Sequence, residues 1–161
     1  VRHELEIYAE GDHRVSSPRI DSLLRELGLI QLAGESPDQL SPGEARRLAL
    51  ARTFLRVDAG ASLVLLDEPT AHQDAAAQIG VMQLLRDRAA DPDAGRTVIA
   101  ACHDLNLAAR FASHALVLGA GRHWLGTVAE VLTAPILQQA FGCGFQVVDS
   151  AHGRLFVPLP A

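Results

Sequence analysis

Leu63-Val64-Leu65-Leu66-Asp67-Glu68-Pro69 decides the fold class. Residues 62–66 form a short, continuous apolar run that stops at two carboxylates and a proline. A strand covered on both faces reads this way, whereas a strand with one wet face alternates. A helix is predicted over about 74–90, then a loop at Asp91-Pro92-Asp93-Ala94-Gly95. Residues 97–101 read as a second buried strand, running into Cys102-His103-Asp104. Strand, helix, strand in this order predicts an α/β parallel sheet. Ligands in such sheets bind beyond the carboxyl ends of the strands, where Asp67-Glu68 and His103-Asp104 fall.

Outward from this unit the signals are local. Residues 10–18, Glu-Gly-Asp-His-Arg-Val-Ser-Ser-Pro, read as a loop. A helix follows, with Ser17 as N-cap, Pro18 first, Ile20, Leu23, Leu24 and Leu27 on one face, and Gly28 as the stop. A second helix is predicted over about 41–56, with Leu48, Ala51 and Leu55 facing inward. After His103, a helix should turn Leu105, Ala108, Ala109 and Ala112 to one side. Residues 115–118 and 123–126 should pair as a hairpin around Gly119-Ala120-Gly121, with short helices and two edge strands completing the chain.

Composition narrows the function classes. The 161 residues carry a net charge of −5, 48% hydrophobic and 20% charged residues, which suits one ordinary globular core. All 14 basic residues are arginine, so the chain contains no lysine. A sequence pI near 5.7 without a basic block argues against a nucleic-acid footprint. Two cysteines, Cys102 and Cys143, make neither a disulfide framework nor a metal knuckle and point to a reducing compartment. No apolar run reaches the roughly 18 residues a membrane helix needs. The N-terminal Val-Arg-His-Glu-Leu-Glu is unlike a signal peptide and has no initiator Met, which suggests a trimmed chain or part of a longer one.

Three motifs carry chemistry. Leu40-Ser41-Pro42-Gly43-Glu44 is a helix start, with a Ser-x-x-Glu capping box and proline at the first position. Taken alone, such a string is most often only a cap. The same free N–H groups and positive dipole end also attract phosphate, Gly43 permits close approach, and the Ser41 hydroxyl adds a donor. At the strand end, Asp67 can hold Mg²⁺ through water and Glu68 can orient an attacking water. The bland alternative is a solvated acidic turn, weakened by the desolvation cost of two carboxylates against an apolar strand. His103 can donate to a phosphate oxygen, although a lone histidine after a strand is most often structural.

In order and spacing, Leu-Ser-Pro-Gly-Glu-Ala-Arg-Arg-Leu-Ala-Leu-Ala-Arg, Leu-Val-Leu-Leu-Asp-Glu-Pro-Thr, Asp74 and Cys-His-Asp-Leu-Asn resemble the second half of an ABC-transporter ATPase domain. The resemblance implies a P-loop NTPase-like parallel sheet with part of an ABC helical subdomain, N-terminally incomplete. It implies that Ser41, Gly43 and Glu44 belong to the signature motif and contact nucleotide, and that Asp67 serves Mg²⁺. Glu68 is then the catalytic glutamate, Asp74 the D-loop aspartate and His103 the switch histidine. The implied parts are a helical subdomain over about 1–60, a catalytic core over about 61–126 and a C-terminal extension over about 127–161. His103-Asp104-Leu105-Asn106 and the helix after it are similar to ATPases that power import of cobalamin, ferric siderophores and haem. The tail from Val131 to Phe145 resembles the vitamin B12 importer ATPase.

This resemblance implies ATP and Mg²⁺ as cofactors and ATP hydrolysis coupled to uptake of a metal chelate, cobalamin first and siderophore or haem next. It implies transmembrane permease subunits, a second ATPase subunit in a homodimer, an indirect periplasmic binding protein and no nucleic acid. The place is the cytoplasmic face of a bacterial inner membrane. Three departures stand against the pattern. Pro42 replaces a usual glycine, and Ala71-His72-Gln73-Asp74 keeps only the D-loop aspartate. Most important, no Gly-x-x-x-x-Gly-Lys-Ser/Thr phosphate loop is present, and without lysine none could be. The chain alone is therefore expected to be inactive. The alternatives are a non-catalytic truncated module lending signature residues to a partner ATPase, and an ABC-type DNA-repair ATPase.

Overall fold

The computed structural model describes residues 1–9, 16–58, 60–91, 95–151 and 153–160. Most of the predicted loop at 10–18, and residues 92–94 of the loop at 91–95, lie outside them. The chain divides into two compact units, Val1–Ala101 and Cys102–Ala161.

The first unit holds helices α1 (Arg2–Tyr8), α2 (Ser17–Glu26) and α3 (Pro42–Asp58), strand β1 (Leu63–Asp67), helix α4 (Ala75–Ala89) and strand β2 (Thr97–Ala101). Two 3-10 turns, Ile30–Leu32 and Pro37–Gln39, join α2 to α3. The cap of α2 is Ser16, not Ser17, and Pro18 falls within its first two positions. Pro18 tolerates either place because the first-turn N–H groups have no intrahelical partner. Gly28 takes φ +66°, and Leu29 N–H reaches back to the Leu24 carbonyl at 2.7 Å, closing the helix as predicted. The core of this unit is aliphatic around one aromatic ring. Leu5, Leu23, Leu24, Leu29, Phe54 and Val57 are fully buried, and Leu48, Ala51 and Leu55 face inward as expected.

A charged cluster ties α2, α3 and α4 together. Arg88 lies over the Phe54 ring, 3.9 Å from its centroid, and donates to Glu26 at 2.7 Å. Arg19 donates to Glu26 at 2.9 Å and to Asp58 at 2.7 Å, and Ser22 donates to Glu26 at 2.9 Å. Burial works to raise the Glu26 carboxyl, but the donors from Arg88, Ser22 and Arg19 outweigh it and hold it below its ordinary value.

β1 and β2 pair in parallel, Leu63 opposite Thr97 and Asp67 opposite Ala101. The expectation of strands buried on both faces is corrected. Val64 is 4% exposed, but Leu63, Leu65 and Ile99 on the opposite face are 53%, 67% and 55% exposed. Apolar residues occupy both faces of the two strands, and only the Val64 face is packed among the described residues.

The second unit holds α5 (Leu105–Phe111), β3 (His114–Gly119), β4 (Arg122–Thr127), α6 (Val128–Val131), α7 (Ala134–Phe141), β5 (Phe145–Ser150) and β6 (Gly153–Pro158). The β3–β4 hairpin is as predicted, turning at Ala120 and Gly121 with φ of +50° and +70°, values that suit the twist of a tight hairpin. Its core gathers Val117, Val131, Leu132, Leu137, Ala140 and Phe156. On α5, the buried residues are Leu107 and Phe111, with Leu105 and Ala109 partly buried on the core and Ala112 exposed. The deepest positions go to Leu107 and Phe111, because bulkier side chains at i and i+4 remove more apolar area from water than alanines do.

Two outcomes follow from this unit-by-unit packing. Glu26 has a lowered folded pKa, so its stabilising effect is complete above the unfolded carboxylate value of about 4.3 and is lost as pH falls through the folded value. Glu26→Gln should lower stability at pH 7 by about 1 kcal/mol, modest because these groups are partly solvated, and should flatten the acid limb. Urea melts of both proteins from pH 7 to pH 2 check this; parallel acid limbs would contradict it. The exposed Leu63-Leu65-Ile99 face and the open sheet edges should drive self-association of the isolated chain. Sedimentation velocity should show oligomers that shrink in Leu65→Thr/Ile99→Thr; a monodisperse parent would contradict this.

Candidate functional site

The candidate site lies where β1 ends and α3 begins. Pro42 is the first residue of α3, and the predicted capping box is present. Ser41 N–H and Oγ donate to one Glu44 carboxylate oxygen at 2.8 and 2.6 Å, and Glu44 N–H donates to Ser41 Oγ at 3.3 Å. The Ser41 hydroxyl and backbone donors hold the Glu44 carboxyl below its usual range. A charged acceptor therefore sits at the positive end of α3, which stabilises the helix start.

Gly43 is buried, and its hydrogen side faces protein. A Cβ there would lie 2.6 Å from the His72 carbonyl oxygen and 3.7 Å from Gln73 Cγ. On that side the close approach that Gly43 permits is made by the His72 backbone. Gln73 donates to the Pro69 carbonyl at 2.9 Å, and Gln78 donates to the Thr70 carbonyl at 3.4 Å, so the turn after β1 is fastened to itself. Asp74 caps α4, accepting from Ala77 N–H at 2.9 Å.

Glu68 leaves β1 with φ +45°, and His72 follows at φ +60°. The left-handed region costs a residue with a Cβ roughly 1–2 kcal/mol. Several bonds hold Glu68 there. Its N–H donates to the Ala101 carbonyl at 3.1 Å, extending the β1–β2 ladder by one residue, and its carbonyl accepts from Ala71 N–H at 3.1 Å. The Arg46 guanidinium adds Nε and Nη2 bonds to the Glu68 carbonyl at 3.2 and 2.9 Å, and Nη2 also meets the Asp67 carbonyl. Glu68 is half-buried and Asp67 is exposed at the mouth of the turn.

The first unit therefore brings together Ser41, Gly43, Glu44, Asp67, Glu68 and Asp74. His103 belongs to the second unit, exposed and one residue before Asp104, which caps α5 by accepting from Asn106 and Leu107 N–H at 2.8 and 3.0 Å. Asn106 in turn accepts from Phe156 N–H at 2.7 Å, fixing β6 to α5. Arg46 escaped the sequence reading; its only signal was an arginine one turn into the capped helix. Among the described residues no group of three or more His, Cys, Asp or Glu is gathered for a metal. Asp67 supplies one hard oxygen, which fits Mg²⁺ completed by phosphate and water ligands and does not fit a closed protein cage.

Residues 2–71 match the family model described as ABC transporter. The chain is 38% identical over 155 residues to a hemin import ATP-binding protein of Rhodopseudomonas palustris, covering 92% of this chain and 57% of that one. It is 39% identical over 144 residues to a cobalamin import ATP-binding protein of Halobacterium salinarum, covering 88% and 35%. It is 35% identical over 155 residues to an iron(3+)-hydroxamate import ATP-binding protein of Bacillus subtilis, covering 91% and 56%. A solved chain from a metal-chelate type ABC transporter in an inward-facing conformation superposes with a TM-score of 0.73 at 25% identity, covering 97% of this chain and 64% of that one. The fold is that of the superposed ABC transporter chain, and this chain spans roughly a third to somewhat over half of the curated relatives it matches.

Gly43→Ala should destabilise the chain by about 1–3 kcal/mol, because the clash is with the backbone carbonyl of His72 and not with a flexible side chain. Gly80→Ala on α4 meets nothing within 4 Å and should stabilise by about 0.5–1 kcal/mol. Urea denaturation of the two variants checks this; equal effects would show that the approach of His72 to Gly43 is not a packing constraint.

Proposed function

We propose that this chain, whose relatives are import ATP-binding proteins, is the signature and strand-end portion of the ATP-hydrolysing subunit of an ABC importer for a metal chelate. The observation that carries the reading is the fastening of the signature turn, Ser41–Glu44, to the strand-end carboxylates, Asp67–Glu68, through Gly43 against His72 and Arg46 against Glu68. A capped helix start with its positive dipole end near the carboxyl end of a parallel strand that carries two carboxylates suits a triphosphate and its metal.

In this reading Glu68 orients and deprotonates the attacking water, and Asp67 holds Mg²⁺ through water. His103 donates to the γ-phosphate. Ser41 and Gly43, with Glu44 fixing their turn, contact ATP held by a second ATPase subunit, and Asp74 lies at the boundary between the two subunits. Magnesium, when bound, supplies neutralisation of phosphate charge. Residues 1–60 act as the helical subdomain that meets a transmembrane permease, 61–126 as the catalytic core and 127–161 as an extension. The subunit sits peripherally on the cytoplasmic face of the membrane; no helix among the described residues is long and apolar enough to cross one. Relatives named for hemin, cobalamin and iron-hydroxamate import support a large chelate as the cargo, and the tail from Val131 to Phe145 favours cobalamin, with siderophore or haem next.

The lack of any lysine favours a second reading, a module that lends only signature residues to a complete partner. One experiment serves both. The chain is combined with a polypeptide supplying the phosphate loop, and steady-state phosphate release is measured. Glu68→Gln should lower turnover by about 10²–10⁴-fold while ATP binding survives. Asp67→Asn should weaken both nucleotide binding and turnover. Turnover near the parental rate in Glu68→Gln would move the base elsewhere, and turnover insensitive to both changes would favour the module.

A further inference from the structure

We infer that Arg46 is a positioning residue for Glu68: its guanidinium fork holds the strand-end glutamate in the left-handed turn that aims its carboxylate. The inference rests on the proposed role of Glu68 for its functional meaning and on geometry for its substance. Along a regular strand successive carbonyls point to opposite sides. Here the Asp67 and Glu68 carbonyls both face one guanidinium, with Glu68 O at 3.2 Å from Nε and 2.9 Å from Nη2. Two consecutive carbonyls can share that side because Glu68 takes φ +45°. The planar fork of arginine therefore rewards a backbone state in which both carbonyls face it; extended backbone at Glu68 would swing one carbonyl away.

The arrangement also sets what the residue couples. Arg46 lies one turn into α3, and its partners lie 21 and 22 residues later in the chain, at the end of β1. A displacement of the start of α3 is carried to the backbone of Glu68 without passing through a flexible loop. The Glu68 N–H donates to Ala101 in its strand partner and its carbonyl accepts from Ala71 in its own turn, and Arg46 adds a link from α3.

The test uses Arg46→Met, which keeps the apolar stem and removes every donor, and Arg46→Lys, which keeps the charge and loses the fork. Amide hydrogen exchange by NMR on the 161-residue chain reads the turn directly. Arg46→Met should speed exchange at the Glu68 and Ala71 amides about tenfold relative to amides within β1, with Arg46→Lys between it and the parent. Glu68→Gly, which takes positive φ freely, should erase most of the urea-midpoint shift that Arg46→Met produces. With the phosphate-loop polypeptide added, Arg46→Met should lower kcat about tenfold or more and leave KM for ATP within about twofold. Exchange that rises equally across α3 and β1, or a midpoint shift unchanged by Glu68→Gly, overturns the positioning role and reduces Arg46 to a general stabiliser. Should Arg46→Met fail to fold, the same comparisons on Arg46→Lys decide. Full turnover in Glu68→Gln would overturn the proposed role of Glu68 separately, because the exchange and midpoint results do not depend on hydrolysis.

Discussion

The carbonyl of Glu68 is where three parts of the first unit meet. It accepts from Arg46 on α3 and from Ala71 in the following turn, while the Glu68 N–H extends the ladder to β2. These bonds oppose the steric cost of a left-handed glutamate. The turn they fix carries the chain to His72, whose carbonyl fills the space beside Gly43. A larger residue at position 43 or a lost fork at position 46 would disturb the same turn from two sides. Strain at a position with a carboxylate is a frequent mark of function, because a polypeptide retains it only where the surroundings over-determine it.

Much of this was legible in the sequence because it follows local rules. The apolar run at 62–66 and the strand at 97–101 announced parallel β1 and β2, and Ser41-Pro42-Gly43-Glu44 announced the capped start of α3. The Gly119-Ala120-Gly121 turn announced the β3–β4 hairpin. What escaped was tertiary. The reach of Arg46 to carbonyls some twenty residues on depends on how α3 lies against β1, and nothing in the spacing of arginines records it. Gly43 also has a packing role that its sequence does not announce, because its Cβ space is taken by the His72 carbonyl. Composition also overstated burial: Leu65 and Ile99 are as apolar as Val64, yet they lie on an exposed face among the described residues. On α5 the sequence shows which residues share a side but not which side is buried, and the buried residues are Leu107 and Phe111.

The likeness to ABC transporter proteins and the geometry support each other at different scales. The relatives and the superposed transporter chain show what the chain is similar to and what fold it has. The hydrogen bonds explain why those residue types are needed at those places: a serine that both caps and donates, a glycine against a carbonyl, an arginine with a fork. His103 stands in the second unit, one residue before Asp104, which caps α5. The chain lacks the lysine on which a phosphate loop depends, and that single absence from its composition shapes every expectation about nucleotide.

That point yields the most direct test of the proposed function, in which these residues act on a nucleotide gripped by another segment. Isothermal titration calorimetry with MgATP would compare the 161-residue chain by itself with the same chain after addition of a polypeptide carrying a phosphate loop. The account predicts no measurable heat from the chain by itself and saturable binding from the mixture. Binding at micromolar concentration to the chain by itself would contradict it, because the nucleotide would then be held by residues other than those assigned here.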